Sequence, residues 1–289
     1  MPATIQDGIT LSDGYKIPRI GFGTYEIAKE DACASVLHAI DAGYRLIDCA
    51  RLYANERQVG EALAQTNIPR DELFITSKVW NDRQVAGPDA VRQSVEETLD
   101  ALGIDQLDLL LIHWPVEGKF RQTWKQFQEF KAEGLTKSIG VSNFLRPHLE
   151  ALAQDGGEMP VLDQIEFHPY MQDADALAIC HEHNIAIEAW SPFSRGLCFA
   201  DETLQAIAAA RGADVGQVIL AWELSKDIIP LPRSTKQSRI ESNLHALELA
   251  LSADELAQID ALNKNTYVTK GVNPMEFNAI LNPIPSPHD

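Results

Sequence analysis

Eight short apolar runs that alternate with helix-period segments, a turn-marked strand pair ahead of them, and the lack of any low-complexity linker predict an α/β fold for this chain of 289 residues. The expected architecture is a single closed (β/α)8 TIM barrel spanning residues 1–289, a size ordinary for one such domain.

The elements follow in chain order. In ITLSDGYKIP, Ile9 to Pro18, the Asp13-Gly14 pair stands between two short alternating runs and predicts a β-hairpin. The eight barrel strands are then IGFGTY, RLIDCA, LFITSKV, LDLLLIHW, KSIGVSN, VLDQIEF, IAIEAWSP and IIPLPRS. Runs such as LDLLLI, apolar but for Asp108, are near-continuously hydrophobic, as parallel strands buried on both faces are. Between strands, GPDAVRQSVEETLDALG carries Val91, Val95, Leu99 and Leu102 at helical spacing and ends on Gly103, a C-terminal capping residue. A doubly wound nucleotide-binding sheet is the rival. It would need G-x-G-x-x-G, but Gly21 and Gly23 are followed by Glu26 where the third glycine belongs.

Composition narrows the function classes. The 42 acidic and 24 basic residues give a formal charge of −18, which opposes general attraction to nucleic acid or anionic membrane, so an anionic ligand requires a local basic pocket. Cys33, Cys49, Cys180 and Cys198 are widely spaced and form no C-x-x-C pair, the usage of a reduced cytosolic protein without disulfides. The opening MPATIQDGIT lacks the basic and apolar regions of a signal peptide, and no later stretch approaches membrane-spanning length; a soluble, cytoplasmic monomer is expected. CHEHN, with Cys180, His181 and His183, is not read as a metal site, because residues two apart point away from each other on a helix.

Barrel chemistry belongs to the C-terminal ends of the strands. Those ends are polar here: Gly23 and Thr24, Asp48, Lys78, His113, Ser142 and Asn143, Gln164, Trp190 and Ser191, then Arg233 and Ser234. Asp48 and Lys78 come from adjacent strands, and a lysine buried near the mouth needs a carboxylate to remain charged. Tyr53, on the loop beyond Asp48, would return over the mouth beside His113. A neighbouring ammonium favours the phenolate, so Lys78 is expected to make Tyr53 a proton donor, while His113 donates a hydrogen bond that polarises a carbonyl.

The motifs DCARLYANE, ITSKVW, LLLIHWP, SIGVSNF, QIEFHPY and PRSTKQSRIESN, in this order and spacing, resemble the aldo-keto reductase superfamily over nearly the whole chain. The resemblance implies a catalytic tetrad of Tyr53, His113, Lys78 and Asp48, a barrel base plugged by the N-terminal hairpin, and a C-terminal tail, Thr266 to Asp289, over the mouth. It implies NADPH extended across that mouth, with Gly23, Thr24 and Ser191 beside it. Ser142, Asn143 and Gln164 would bond the nicotinamide carboxamide, and Trp190 would stack on the ring. Ser234 and Thr235 can open a helix after the last strand, so that its N–H groups, Arg233 and Arg239 converge on the 2′-phosphate, with Asn243 at the adenine end. Two positions depart from the pattern. Arg233 stands where relatives commonly have lysine, and Ser242 replaces a glutamate that contacts adenine. Tyr25, Trp80 and Trp114 would wall the substrate. The C-terminal half is similar to the shorter bacterial 2,5-diketogluconate reductases, which implies reduction of small aldehydes and ketones such as methylglyoxal or keto sugars. The competing reading is a non-catalytic NADP-binding regulatory or structural protein on the same fold.

Overall fold

The computed structural model describes residues 8–268 together with Pro274 and Met275. Strands β1 (Gly8–Thr10) and β2 (Lys16–Pro18) form the expected antiparallel hairpin, with Gly8 opposite Pro18. Asp13 and Gly14 lie within a five-residue connection, Leu11 to Tyr15, rather than making a two-residue turn by themselves. The Gly14 N–H donates to the Leu11 carbonyl at 2.9 Å, and Gly14 takes φ +93, a conformation that suits glycine. Asp13 also reaches a distant part of the chain, where its carboxylate accepts from Ser138 Oγ at 2.8 Å and pairs with Lys131 Nζ at 3.2 Å. The hairpin is thereby tied to the bottom of the barrel.

The barrel strands are β3 (Gly21–Gly23), β4 (Leu46–Asp48), β5 (Phe74–Val79), β6 (Leu107–Ile112), β7 (Thr136–Ser142), β8 (Leu162–Glu166), β9 (Ala186–Trp190) and β10 (Ile228–Pro230). They pair in parallel and in chain order. Between β3 and β10 the ring is joined by the Gly23 N–H, which donates to the Pro232 carbonyl at 3.1 Å. Gly21 belongs to this seam, because a Cβ there would stand 2.5 Å from Leu231 Cδ2 and 2.7 Å from the Leu46 side chain. The glycines that superficially begin a nucleotide-binding fingerprint are therefore required by barrel closure.

Two-residue periodicity separates the barrel's inside from its outside. Ile47, Ile75, Val79, Leu110, Ile112 and Ile139 pack outward with Val36, Ile40, Val59, Val95, Leu99, Phe127 and Phe130 of the surrounding helices. The expected helix over the GPDAVRQSVEETLDALG segment is Pro88–Leu102, and Gly103 closes it with φ +66. Inside, Leu46, Phe74, Leu109, Leu111, Leu162, Ile229 and Leu231 form an apolar floor with Leu11 and Ile17 of the hairpin region. The hairpin thus plugs the base, as the resemblance implied. One step further along the strands the interior becomes polar, and that change of character marks the mouth. The C-terminal tail over the mouth lies, beyond Val268, almost wholly outside the described residues.

No helix among the described residues is long and apolar enough to cross a membrane. The four cysteines are free thiols.

Glu223, on the helix Val215–Ser225, is fully buried, and neither carboxyl oxygen has a hydrogen-bond partner among the described residues. Burial pushes its carboxyl well above the ordinary glutamate range. The folded chain therefore holds this proton more tightly than the unfolded chain. That contribution is fully present below the unfolded value of about 4.3 and is lost as pH rises toward the raised folded value. Glu223→Met, similar in volume and apolar, is expected to stabilise the protein by about 1–3 kcal/mol at about pH 8, with the gain shrinking toward about pH 5. Urea unfolding at both pH values checks this, and equal midpoint shifts would count against a buried titrating carboxyl.

Candidate active site

A cleft of about 490 Å³ opens at the C-terminal ends of the strands. Its floor is an ion pair. Parallel pairing sets Asp48 beside Thr76, which brings Lys78 of the same strand up to the carboxylate. Lys78 Nζ lies 2.7 Å from both Asp48 oxygens, 3.0 Å from the Cys49 carbonyl and 3.1 Å from Tyr53 Oη. Burial pulls the ammonium's pKa down, but Asp48 and Tyr53 outweigh it and hold Lys78 above the ordinary lysine value. Lys78 is a fixed positive charge.

Tyr53 ends a short 3-10 turn, Arg51–Tyr53, that folds back directly after β4, and Ala54 in the left-handed region closes that turn. The phenol's position corrects the expected electrostatics. Burial raises its pKa, Lys78 lowers it and Asp48 raises it, with a net shift above the ordinary tyrosine value. Lys78 therefore offsets burial instead of making the phenol acidic outright. Tyr53 keeps its proton at neutral pH, and the adjacent ammonium stabilises the phenolate left after the proton is given up. His113, one residue beyond β6, sits with its ring centroid 5.7 Å from that of Tyr53. Burial, then the Lys78 charge, pushes its pKa well below the usual histidine value, so the imidazole is neutral with one N–H to donate. Its Nδ1 is buried without a partner among the described residues.

The cleft wall beyond the floor is fixed by a chain of amide bonds. Asn143 follows β7 in the left-handed region at φ +63, which asparagine tolerates. Its Nδ2 donates to the His113 carbonyl and to Ser142 Oγ, both at 3.0 Å. Its Oδ1 accepts from Trp190 Nε1 at 2.9 Å, which fixes the plane of the indole. Gln164 Nε2 donates to Asp48 Oδ1 at 2.8 Å and to Glu188 Oε2 at 2.7 Å.

Gly23, Tyr25, Asp48, Tyr53, His113, Trp114, Ser142, Asn143, Gln164, Trp190, Ser191, Arg233 and Arg239 all line the cleft. Lys78 lies just beneath, bonded to Asp48 and Tyr53. Five further positions singled out in the sequence do not line it. Thr24 is fully buried, and its hydroxyl donates to the Asp48 carbonyl at 2.9 Å. Trp80 packs edge-on to His113, centroids 4.8 Å apart. Ser234 and Thr235 precede the helix Gln237–Leu244 rather than opening it; Ser234 Oγ accepts from the Lys236 N–H at 3.0 Å. Asn243 is buried against Tyr44.

Several wall residues carried no periodic signal: Glu26, Leu52, Phe193, Arg195, Gly196 and Phe199. Glu26 pairs with Arg233 at 2.7 Å and approaches Arg195 at 3.6 Å. Glu188, immediately behind the cleft, could have been found from the alternation of Ala186, Glu188 and Trp190 along one face of β9.

A flat indole of fixed orientation, convergent amides and three cleft arginines suit an aromatic ring with a carboxamide at one end and a phosphate at the other. The Aldo/keto reductase family model matches residues 19–264. The chain is 39% identical over 278 residues to the glyoxal reductase of Bacillus subtilis (strain 168), an alignment covering 96% of this chain and 99% of that one. Among solved structures, a mutant of Gox0644 in complex with NADPH matches with a TM-score of 0.89 and 36% identity, over 94% of this chain and 99% of that one. A Bombyx mori aldo-keto reductase in complex with NADP matches with a TM-score of 0.86 and 34% identity, over 92% and 95% of the two chains. With these matches spanning the barrel and the polar mouth that closes over its buried lysine, the chain belongs to the aldo/keto reductase family of NADP(H)-dependent oxidoreductases.

Proposed function

We propose that this chain reduces the carbonyl of small aldehydes and ketones to the alcohol with NADPH, and that Tyr53 is the proton donor. The carrying observation is the Tyr53 hydroxyl 3.1 Å from a lysine ammonium that is itself locked between two carboxylate oxygens, beside a neutral histidine on the cleft wall.

When bound, NADPH supplies the hydride. Trp190, its indole plane fixed by Asn143, would stack on the nicotinamide ring, while Ser142, Asn143 and Gln164 would hold the carboxamide. His113 donates its N–H to the substrate oxygen and polarises the carbonyl. Tyr53 passes its hydroxyl proton to that oxygen as the carbon accepts the two electrons of the hydride, and Lys78 stabilises the phenolate that remains. Water then returns a proton to Tyr53. Tyr25 and Trp114 give the substrate apolar walls, and the short connection from His113 to the helix beginning at Phe120 adds little wall of its own, in keeping with compact substrates such as 2-oxoaldehydes. The glyoxal reductase relative points the same way.

At the phosphate end Arg239 lines the cleft and makes no ion pair among the described residues, whereas Arg233 is partnered by Glu26. Ser242, which stands in place of an adenine-contacting glutamate, is turned to Asp214 at 2.8 Å and to Gln217. Discrimination between NADPH and NADH therefore rests mainly on Arg239.

Tyr53→Phe is expected to lower turnover about a hundredfold or more while leaving NADPH affinity near the parent's. Steady-state kinetics with methylglyoxal, aromatic aldehydes and diketogluconate, beside fluorescence titration of NADPH, measures both. Binding without turnover in the parent would favour the non-catalytic reading. Lys78→Met strands a buried Asp48 charge; its expected loss is most of the turnover and about 3–5 kcal/mol of stability. Adding Asp48→Asn should recover part of the stability and none of the activity, and recovery of activity would remove Lys78 from the chemistry. Arg239→Ala should weaken NADPH by a factor of about ten to a hundred with NADH nearly unchanged. Equal weakening of both cofactors would sink the phosphate assignment.

A further inference from the structure

Glu188 takes no part in the proton and hydride transfers, yet its surroundings are those of the site. It is fully buried inside the barrel, on β9, and parallel pairing sets it directly beside Gln164 of β8. Its Oε2 accepts one Gln164 Nε2 hydrogen at 2.7 Å, and Asp48 Oδ1 accepts the other at 2.8 Å. An amide nitrogen has two hydrogens to give. Both are thus committed to the carboxyl groups of Asp48 and Glu188. Gln164 lines the cleft, and its Oε1 makes no hydrogen bond among the described residues.

We propose that Glu188 is a positioning residue for the cofactor: together with Asp48 it takes both amide hydrogens of Gln164 and so turns the Gln164 carbonyl oxygen toward the cleft as a fixed acceptor for the nicotinamide carboxamide N–H. This rests on the NADPH-dependent reading of the cleft. The opposite amide orientation would aim Oε1 at the ionised Asp48, two acceptors facing each other in a dry site, so Asp48 sets the sense of the amide. Glu188 removes its remaining freedom by satisfying the second hydrogen, which would otherwise be buried and unpaired. Burial, and next the repulsion of Asp48, pushes the Glu188 carboxyl up to about 8. That shift favours the uncharged carboxyl, which lessens its competition with Asp48 for Lys78.

Glu188→Leu removes the acceptor at similar volume, and Glu188→Gln restores a neutral acceptor. Fluorescence titration of NADPH and NADH, with aldehyde kinetics, reads the result. The leucine variant is expected to weaken NADPH and NADH alike, by about tenfold. The ratio between the two should stay parental, because the 2′-phosphate lies at the other end. The glutamine variant should bind like the parent. In a Gln164→Ala background, Glu188→Leu should produce no further weakening. Should the leucine variant not fold, Glu188→Ala carries the same expectations. Parental affinity in the leucine variant, equal losses in the leucine and glutamine variants, or additive losses in the double variant would each overturn the assignment. A parent that binds neither cofactor would instead refute the NADPH reading on which it rests.

Discussion

The ion pair between Lys78 and Asp48 is the constraint around which the upper half of the barrel is arranged. A lysine with its side chain fully buried stays charged only if the attraction it finds exceeds the solvation it has lost. Asp48 supplies that attraction through both oxygens, and the Cys49 carbonyl takes a further ammonium hydrogen. Each of these partners is delivered by β4 or the residue that follows it, and the parallel register between β4 and β5 sets their height. A slip of one residue along either strand would turn one of the two side chains out toward the helices.

The strength of that pair depends on the other end of the barrel. Leu11 and Ile17 complete an apolar floor with the lower interior residues and so keep water from reaching the pair from below. A dry floor lowers the local dielectric and raises the worth of each charge above it. Asp13, anchored to Ser138 and Lys131, holds the plug in position. The same dryness fixes the protonation of the remaining groups. His113 is uncharged at neutral pH, Tyr53 keeps its proton, and burial shifts Glu188 toward its uncharged form, which leaves the Lys78–Asp48 pair as the dominant charges of the floor. A hairpin remote from the cleft thus acts on its electrostatics.

Much of this was legible in the sequence because it is periodic. Short apolar runs alternating with helix-period segments identified the strands, and their polar tips identified Asp48, Lys78, His113, Ser142 and Gln164 as neighbours although they are far apart along the chain. What escaped was set by packing between distant segments. Glu26 and Arg233 are separated by 207 positions, and no local pattern announces their pairing. Thr24 and Ser234 have the right chemistry for a ligand, yet the Thr24 hydroxyl is taken by the Asp48 carbonyl of the adjacent strand and that of Ser234 by the Lys236 N–H two residues on, the local competition that short polar side chains at turns invite. Gly21 only superficially began a nucleotide motif, since a glycine demanded by a close approach looks the same in sequence whether its neighbour is a phosphate or a leucine, and the missing third glycine told against the phosphate. The sign of the Tyr53 shift required burial as well as the identity of its partner, and only the folded chain supplies burial.

The pairing of Glu26 with Arg233 bears on how so acidic a chain presents a cleft to an anionic cofactor. At a net charge of −18 the long-range field opposes a phosphate, but salt reduces that field within about 8 Å at physiological ionic strength, leaving contact terms in control. Arg195, Arg233 and Arg239 line the cleft and, under the proposed reading, would supply those contacts. Glu26, which itself adopts the left-handed backbone region, stands between the first two and accepts from Arg233 at 2.7 Å. A phosphate arriving at Arg233 must share the guanidinium or displace the carboxylate, so part of what it gains there is offset by the bond it loosens. At Arg239, which makes no ion pair among the described residues, no such exchange is needed. Of two arginines that follow the same strand, the one without a carboxylate partner therefore carries the larger share of phosphate recognition under the proposed reading. That asymmetry follows from a side chain contributed by the opposite end of the chain.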